Sequence, residues 1–408
     1  VRYSADRVRD LASVTSPPYD VVDADGVRTL ESAEPHNVVR LILPRQDDCG
    51  PEGRYLHAAA TLKQWLAEGV LVADPARALY VYEQATADGQ VVQRGLLGAL
   101  DLRDPEDRVV LPHEDVMPGP VQDRLELMRA AEANVEPILL VYPGGGGAAA
   151  RVVARAAQGQ AAMVATTDDG LTHRLFPVVE ATDLAAVAAD LAHRQALIAD
   201  GHHRYAAYRR LQAEDAAKGA GPWDRGFALL VDTDAYPLRV GAIHRVVDAL
   251  ELDVAVKLAT GSGLFTAETP TGDASVAELA GALRAGELLL VGADGRAVVL
   301  RVGRPAEVDA LVPLDHVPAW RSLDTAVLHH ALLDSVWGVP EARVTYHHDV
   351  AGALRTAGRT GGTAVLLAPV SVNTVFELAA AGERMPRKST SFGPKPRTGL
   401  VLRTFEAG

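Results

Sequence analysis

The chain has 408 residues, enough for two domains or one large mixed one. Hydrophobic residues make up 48% and charged residues 23%, the balance of a globular protein, and aromatics are only 5%. The net charge of -13 argues against non-specific nucleic-acid binding, which needs a basic face, and makes any local basic cluster conspicuous. The single cysteine, Cys49, excludes an intrachain disulfide and a cysteine zinc site. The N-terminal stretch VRYSADRVRD lacks the apolar core of a signal peptide, and no segment approaches the roughly 18 apolar residues of a membrane span. A cytoplasmic protein with no membrane partner is expected.

Residues Asn37–Pro44 (NVVRLILP) are β-branched and read as a strand. Gly53–Glu68 has a helical pattern, with Gly69 as its stop. Ala78–Gln84 and Val91–Leu102 flank Ala87-Asp88-Gly89, a hairpin signal. After the irregular stretch Arg103–Pro120, Asp123–Ala133 reads as a helix and Pro137–Tyr142 as a strand. Pro143–Ala150 (PGGGGAAA) reads as a flexible connection. It is not a P-loop, because no Gly-Lys-Ser/Thr follows. Ala161–Thr167 and Thr172–Val179 form a second hairpin, with Pro177 suggesting an edge position. A helix at Leu184–His193, a short strand at Ala196–Ala199, a helix at Gly201–Lys218 and a strand at Phe227–Thr233 follow. Strand-like and helix-like pieces alternate from Asp248 to about Pro318, Leu328–Trp337 is helical, and Thr363–Val370 and Gly399–Thr404 read as a last strand pair around a helix near Asn373–Ala381.

This order predicts an α/β or α+β fold with a mixed sheet, hairpins and helices, and not a dinucleotide fold, since no GxGxxG follows a strand. The expected division is 1–247 as a nucleotide- or phosphate-binding domain and 248–318 as a small α+β subdomain or insertion. Residues 319–408 are expected as a C-terminal segment returning a basic KST loop to the site.

The most informative stretch is Leu197–Tyr208, LIADGHHRYAAY. An apolar strand ends at Ala199, Asp200 and Gly201 turn the chain, and a helix starts at once. The first amides of that helix lack carbonyl partners and carry the positive end of its dipole, so the turn can receive a phosphate. Arg204 can clamp it, His202 and His203 can donate to its oxygens, and Asp200 can accept a proton or hold a metal ion. The plain alternative makes Asp200 a helix cap and the histidines exposed first-turn residues.

A second cluster lies between Arg384 and Arg397: Arg384, Arg387, Lys388, Lys395 and Arg397, with no acidic residue among them. Pro386, Pro394 and Pro396 stiffen it, and Ser389, Thr390 and Ser391 add hydroxyls. Lys388 and Lys395 suit phosphate as point charges; a solvated surface loop is the alternative. Glu114, beside His113 in an irregular loop, is a candidate base. Asp123 and Arg124 open a helix and can hold metal or phosphate; Asp123 as a favourable acid at a helix N-terminus is equally consistent. HExxH is absent, because Met117 stands where the second histidine belongs. His329–His330, His347–His348 and His244–Arg245 show no diagnostic metal spacing. Tyr19 and Asp20 follow Pro17-Pro18 in a rigid turn.

ADGHHRY resembles the hallmark of domain-of-unknown-function family 1015. Its other motifs occur in order: SPPYDVV at Ser16–Val22, PHNVVRLILP at Pro35–Pro44, LPHEDVMPGPVQDRLELMRA at Leu111–Ala130, LDTAVLHHALL at Leu323–Leu333 and MPRKSTSFGPKPRTGLV at Met385–Val401. The DGHHR turn also resembles the phosphate-binding signature of ParB/sulfiredoxin-fold proteins, which include free-serine kinases, CTP-hydrolysing partition proteins and sulfiredoxins. The resemblance implies a ParB/sulfiredoxin-like core and a kinase for a free small hydroxyl compound, L-serine first. ATP or ADP would be the donor, with Mg²⁺. On this reading Glu114, Asp200, His202 and His203 are catalytic. Gly201, His202, His203, Arg204, Lys388, Ser389, Thr390 and Lys395 hold the nucleotide, and Asp200 holds the metal. Tyr19, Asp20, His113, Asp123, Arg124, His244 and Arg245 face the substrate. The rival readings are a nucleotide-binding switch without transfer chemistry, a metal-dependent hydrolase, and a domain acting only in assembly. The partners expected are a nucleotide and a small-molecule substrate, with a homodimer left open.

Overall fold

The computed structural model describes residues 1–45 and 50–406; Cys49 lies outside the described residues. Contacts divide the chain into two units, residues 1–238 with 394–408 (unit 1) and residues 239–393 (unit 2).

Unit 1 is built on an eight-stranded mixed sheet in the order Val110–Leu111, Ala196–Asp200, Ile138–Tyr142, Arg225–Asp232, Val91–Asp101, Leu79–Ala85, Thr172–Val178, Met163–Thr166. Two pairings are parallel: Val110–Leu111 with Ala196–Asp200, and Ile138–Tyr142 with Arg225–Asp232. The others are antiparallel. Cross-strand partners share a face, so Leu140, Leu230, Leu96, Val81 and Phe176 lie in one row. Four helices cover that face. Pro118–Ala131 and His202–Asp215 pack Leu125, Met128, Tyr205 and Tyr208 against Ile138 and Ile198. Ala148–Ala156 and Ala181–Leu191 pack Val152 and Val187 against Val81 and Phe176.

Unit 2 carries a six-stranded antiparallel sheet in the order Phe265–Glu268, Ala297–Val302, Glu287–Val291, Thr363–Leu367, His244–Val247, Val344–His347. One core joins Leu288, Leu290 and Val365 to Ala255, Leu328 and Leu332. The chain enters and leaves this unit on two adjacent antiparallel strands, Arg239–Ala242 and Thr390–Gly393. The unit boundaries therefore fall at 238/239 and 393/394, not at 247/248 and 318/319. The strand Glu287–Val291 hydrogen-bonds directly to Thr363–Leu367, so the segment 248–318 forms no body of its own.

Several elements differ from the sequence reading. Asn37–Pro44 is not a strand: Val39–Ile42 is a short helix, with Asn37 Oδ1 accepting from Val39 N and Asn37 Nδ2 donating to Ser13 and Thr15 carbonyls. Val38, Val39, Leu41 and Ile42 are all buried, and that burial overrides β propensity. The glycine run is not a slack connection. Gly144 N and Gly145 N donate to Asp232 and Asp234, and the helix Ala148–Ala156 follows at once. Thr363–Leu367 and Arg403–Thr404 do not pair; the latter pairs with Ala133–Asn134. Pro177 sits in a strand paired on both sides, but Met163–Thr166 reaches only to Leu175, so Pro177 has a partner, Tyr80, on one side alone. The helix near Leu328 is an 11-residue π-helix, Val327–Trp337.

Candidate functional site

Three chain ends meet at one edge of the unit 1 sheet. Ala196–Asp200 and its parallel neighbour Val110–Leu111 both finish there, and Ile138–Tyr142, antiparallel to the first, begins there. The loop carrying His113 and Glu114, the Asp200–Gly201 turn and Glu136 are thereby brought to the same edge. A bulge between Ile198 and Asp200 shifts the register so that Asp200 pairs with Leu139, which re-aims its side chain. Gly201 follows with φ 97°, and a Cβ there would lie 2.7 Å from Ile138 Cγ2. Glycine is required at that turn on both counts.

The helix His202–Asp215 starts with no side-chain cap, so Asp200 is not its cap. Instead the Asp200 carboxylate takes two cations: Arg204 at 2.6 Å and Lys395 Nζ at 2.7 Å. Lys395 also pairs with Asp20, in the turn Tyr19–Val21. Burial works against the charged lysine, but Asp200 and Asp20 outweigh it and raise its pKa. Burial likewise works to raise Asp20; Lys395 and Arg204 outweigh it and hold the carboxyl below its usual range. An ammonium bridging two carboxylates at an uncapped helix start is thus the centre of the site.

Arg204 is only 4% exposed. Its terminal nitrogens are committed to Asp200 and the Pro137 carbonyl, and its guanidinium lies 5.5 Å from the Tyr19 ring centroid. It sets the aspartate in place and does not face outward as a phosphate clamp. Arg124 covers the Tyr19 ring at 4.3 Å and binds the Ile42 carbonyl and Asp123. Asp123 takes further donors from Arg54 and Tyr55, each at 2.7 Å. A polar cavity of about 310 Å³ opens beside them, lined by Asp23, Arg28, Arg54, Asp123 and Arg124 among others.

His202 and His203 hold the loop in front of them. His202 Nε2 accepts from His113 N at 3.3 Å, and His203 Nε2 from Met117 N at 3.1 Å. In both rings Nε2 is thus occupied as an acceptor by the backbone of the facing loop. The His113 and His202 rings meet edge to face at 4.5 Å. Glu114, one-third exposed, lies 3.9 Å from His113 Nε2 and 4.0 Å from His202 Nδ1.

Glu136 was not singled out in the sequence. It is 3% exposed, accepts from Tyr19 N at 3.0 Å and Thr398 Oγ1 at 3.3 Å, and lies 3.6 Å from Arg124. Burial pushes its carboxyl up, opposed by Arg204 and Arg124. The only signal was an acid between two apolar stretches, VEPILL. Lys388, Ser389, Thr390, His244 and Arg245 belong to unit 2. Ser389 Oγ is spent on Thr325 Oγ1 and the Pro386 carbonyl, and the 6% exposed His244 accepts from Leu367 N. Among the described residues no three His, Cys, Asp or Glu side chains converge as a metal site, and no helix is long and apolar enough to cross a membrane.

A family model described as "Protein of unknown function (DUF1015)" matches residues 1–326. No curated protein matches the chain. Among solved structures, the chain is similar to a free serine kinase in complex with AMP, at 16% identity over 76% of this chain and 92% of that one, with a TM-score of 0.38. A conserved hypothetical protein from Pyrococcus furiosus is similar at 16% identity over 76% and 96%, with a TM-score of 0.35. SbnI from Staphylococcus aureus, truncated at its C-terminus, is similar at 13% identity over 76% and 88%, with a TM-score of 0.38.

Proposed function

This chain belongs to the DUF1015 family of proteins of unknown function, and from that premise we propose that unit 1 binds a nucleotide and transfers its terminal phosphoryl group to the hydroxyl of a free small compound, L-serine being the first candidate. The observation that carries this reading is the Lys395 ammonium shared by Asp20 and Asp200 beside an uncapped helix N-terminus. Phosphoryl transfer asks mainly for positioning and charge neutralisation, and this edge offers fixed amides, a cation and two carboxylates together.

The first amides of His202–Asp215 receive phosphate oxygens, and Lys395 neutralises charge on the transferred group. Glu114 takes the acceptor's hydroxyl proton as the new oxygen–phosphorus bond forms and the bond to the nucleotide's bridging oxygen breaks. His113 and His202 flank Glu114 and fix its place, while Arg204 and Glu136 position Asp200 and Tyr19. Magnesium takes one or two carboxylates alongside substrate phosphates, a demand that Asp20 and Asp200 fit, and it would supply further charge neutralisation there.

The test is thermal unfolding with ATP, ADP and CTP, each with Mg²⁺, with and without L-serine, and mass spectrometry for phosphoserine. A nucleotide-induced rise in midpoint that grows with serine, with product formed, is the expected result. Glu114→Gln is expected to lower turnover about a hundredfold while the nucleotide shift remains. A shift indifferent to serine with no phosphorylated product favours a nucleotide-binding switch. No shift with any nucleotide overturns the reading.

A further inference from the structure

Three sequence motifs that the unit 1 site leaves out meet inside unit 2: His244–Arg245, Leu323–Leu333 and Arg384–Thr390. Arg245 is fully buried. Its Nε donates to His329 Nε2 at 3.2 Å, and a terminal nitrogen donates to the Arg387 carbonyl at 3.2 Å. Ser389 Oγ reaches Thr325 Oγ1 at 3.2 Å, and Trp320 Nε1 donates to the Arg384 carbonyl at 2.5 Å. The backbone of the basic segment is therefore anchored at several points. His329 lies in the π-helix Val327–Trp337.

Arg245 makes no ion pair among the described residues; it rests 5.1 Å from the centroid of the Tyr346 ring. Arg387 and Lys388 are exposed, and among the described residues their side chains make no hydrogen bond or ion pair. Lys388 holds φ 56°, a left-handed conformation that costs a non-glycine residue about 1 kcal/mol. Such strain persists only where the surroundings impose it, and here the anchors do. A merely solubilising loop needs neither anchors nor strain. No acid lies between Arg384 and Arg397, in a chain of net charge -13.

We propose that the Arg387–Lys388 turn of unit 2 is a preformed seat for a phosphoryl group on a small molecule, with Arg245 as its positioning residue. An exposed guanidinium fork beside an ammonium suits a phosphate dianion, and a fixed backbone lowers the entropy lost on binding. Ser389, turned inward, is an anchor and not a ligand. The inference does not rest on the transfer chemistry of unit 1.

The test titrates inorganic tripolyphosphate and inorganic phosphate into the full chain carrying Lys395→Met, which suppresses the contribution of unit 1. Binding is expected to persist, and to weaken at least about tenfold when Arg387→Gln and Lys388→Gly are added. Glycine relieves the left-handed strain, so the unfolding midpoint should not fall with it. Tripolyphosphate binding without phosphate binding indicates a nucleotide-like tail; binding of phosphate alone indicates a phosphomonoester. Arg245→Met should weaken binding to a similar degree and Arg245→Lys recover part of it. Binding of neither probe, or binding indifferent to Arg387→Gln with Lys388→Gly, overturns the seat. Unchanged binding in Arg245→Met removes the positioning role.

Discussion

Gln84 and Gln93 stand opposite each other on adjacent strands of unit 1, and Gln84 Nε2 donates to Gln93 Oε1 at 2.8 Å. Both are buried, and both reach the returning C-terminal segment: Gln84 donates to the Lys395 carbonyl at 3.1 Å and Gln93 to the Pro394 carbonyl at 2.7 Å. Tyr82, on the same face as Gln84, accepts from Arg397 N at 3.0 Å. Two glutamines and a tyrosine thus fix the segment that carries Lys395 between its aspartates.

Gln93→Leu removes one donor and one acceptor and strands the Pro394 carbonyl. A loss of about 1–3 kcal/mol in urea unfolding is expected. The nucleotide-induced midpoint shift should shrink with it, since Lys395 is held through this contact.

Lys395→Met leaves Asp20 and Asp200 facing each other without their shared cation. The expected loss is about 2 kcal/mol, less than for a fully buried pair, because Lys395 keeps part of its exposure. The pH dependence has two limits. Lys395 is raised in the fold, so its contribution is complete below its ordinary value of 10.5 and disappears as pH rises through the raised value. Asp20 is lowered, so its contribution is complete above its ordinary 3.8 and disappears as pH falls through the lowered value. The difference in stability between wild type and Lys395→Met should peak at intermediate pH and narrow at both extremes.

Burial lowers His173 to about 4, with Arg397 adding to the effect. Tyr82 and Thr167 hold its two ring nitrogens at 2.8 and 3.0 Å. The fold therefore keeps the ring neutral. Stability is complete above the ordinary histidine value near 6.5 and falls as pH drops towards about 4, by about 3 kcal/mol at the limit. His173→Gln should flatten that part of the stability–pH curve. His244 and His329, both lowered to about 4 by burial, give unit 2 an acid sensitivity of the same sign.

Gly201→Ala should cost at least about 2 kcal/mol, since it meets both a left-handed backbone and Ile138. Gly89→Ala is the control. Gly89 has φ 87° but open space around it, and a cost of about 1 kcal/mol is expected. Equal losses in the two would show that the Ile138 contact is unimportant.

The hairpin Leu79–Ala85/Val91–Asp101 and the strand–turn–helix at Asp200 were legible because apolar strand runs broken by glycine turns are local signals. Val39–Ile42 was misread because burial, which is not local, decides its conformation, and Asn37, whose side chain accepts from Val39 N, was read as part of a strand. DGHHR marked the strand–turn–helix that the fold contains. Arg204 and His202 are buried, and the second cation on Asp200, beside Arg204, comes from Lys395, 195 positions away. Glu136 escaped because its partners, Tyr19, Arg124 and Thr398, come from three distant segments. The bulge that re-aims Asp200 has no sequence mark at all.

The return of residues 394–408 to unit 1 bears on how the protein is made. A nascent chain that has emerged only as far as Gly393 already contains Asp20, Asp200 and every helix of the first sheet, but not the ammonium between the two carboxylates. Unit 2, synthesised in between, can fold as a unit before the first one is closed. The Asp20–Asp200 edge therefore lacks its shared ammonium until the C-terminal segment follows, with two like charges facing each other. Its ion pairs to Lys395 close only once that residue has followed the whole of unit 2.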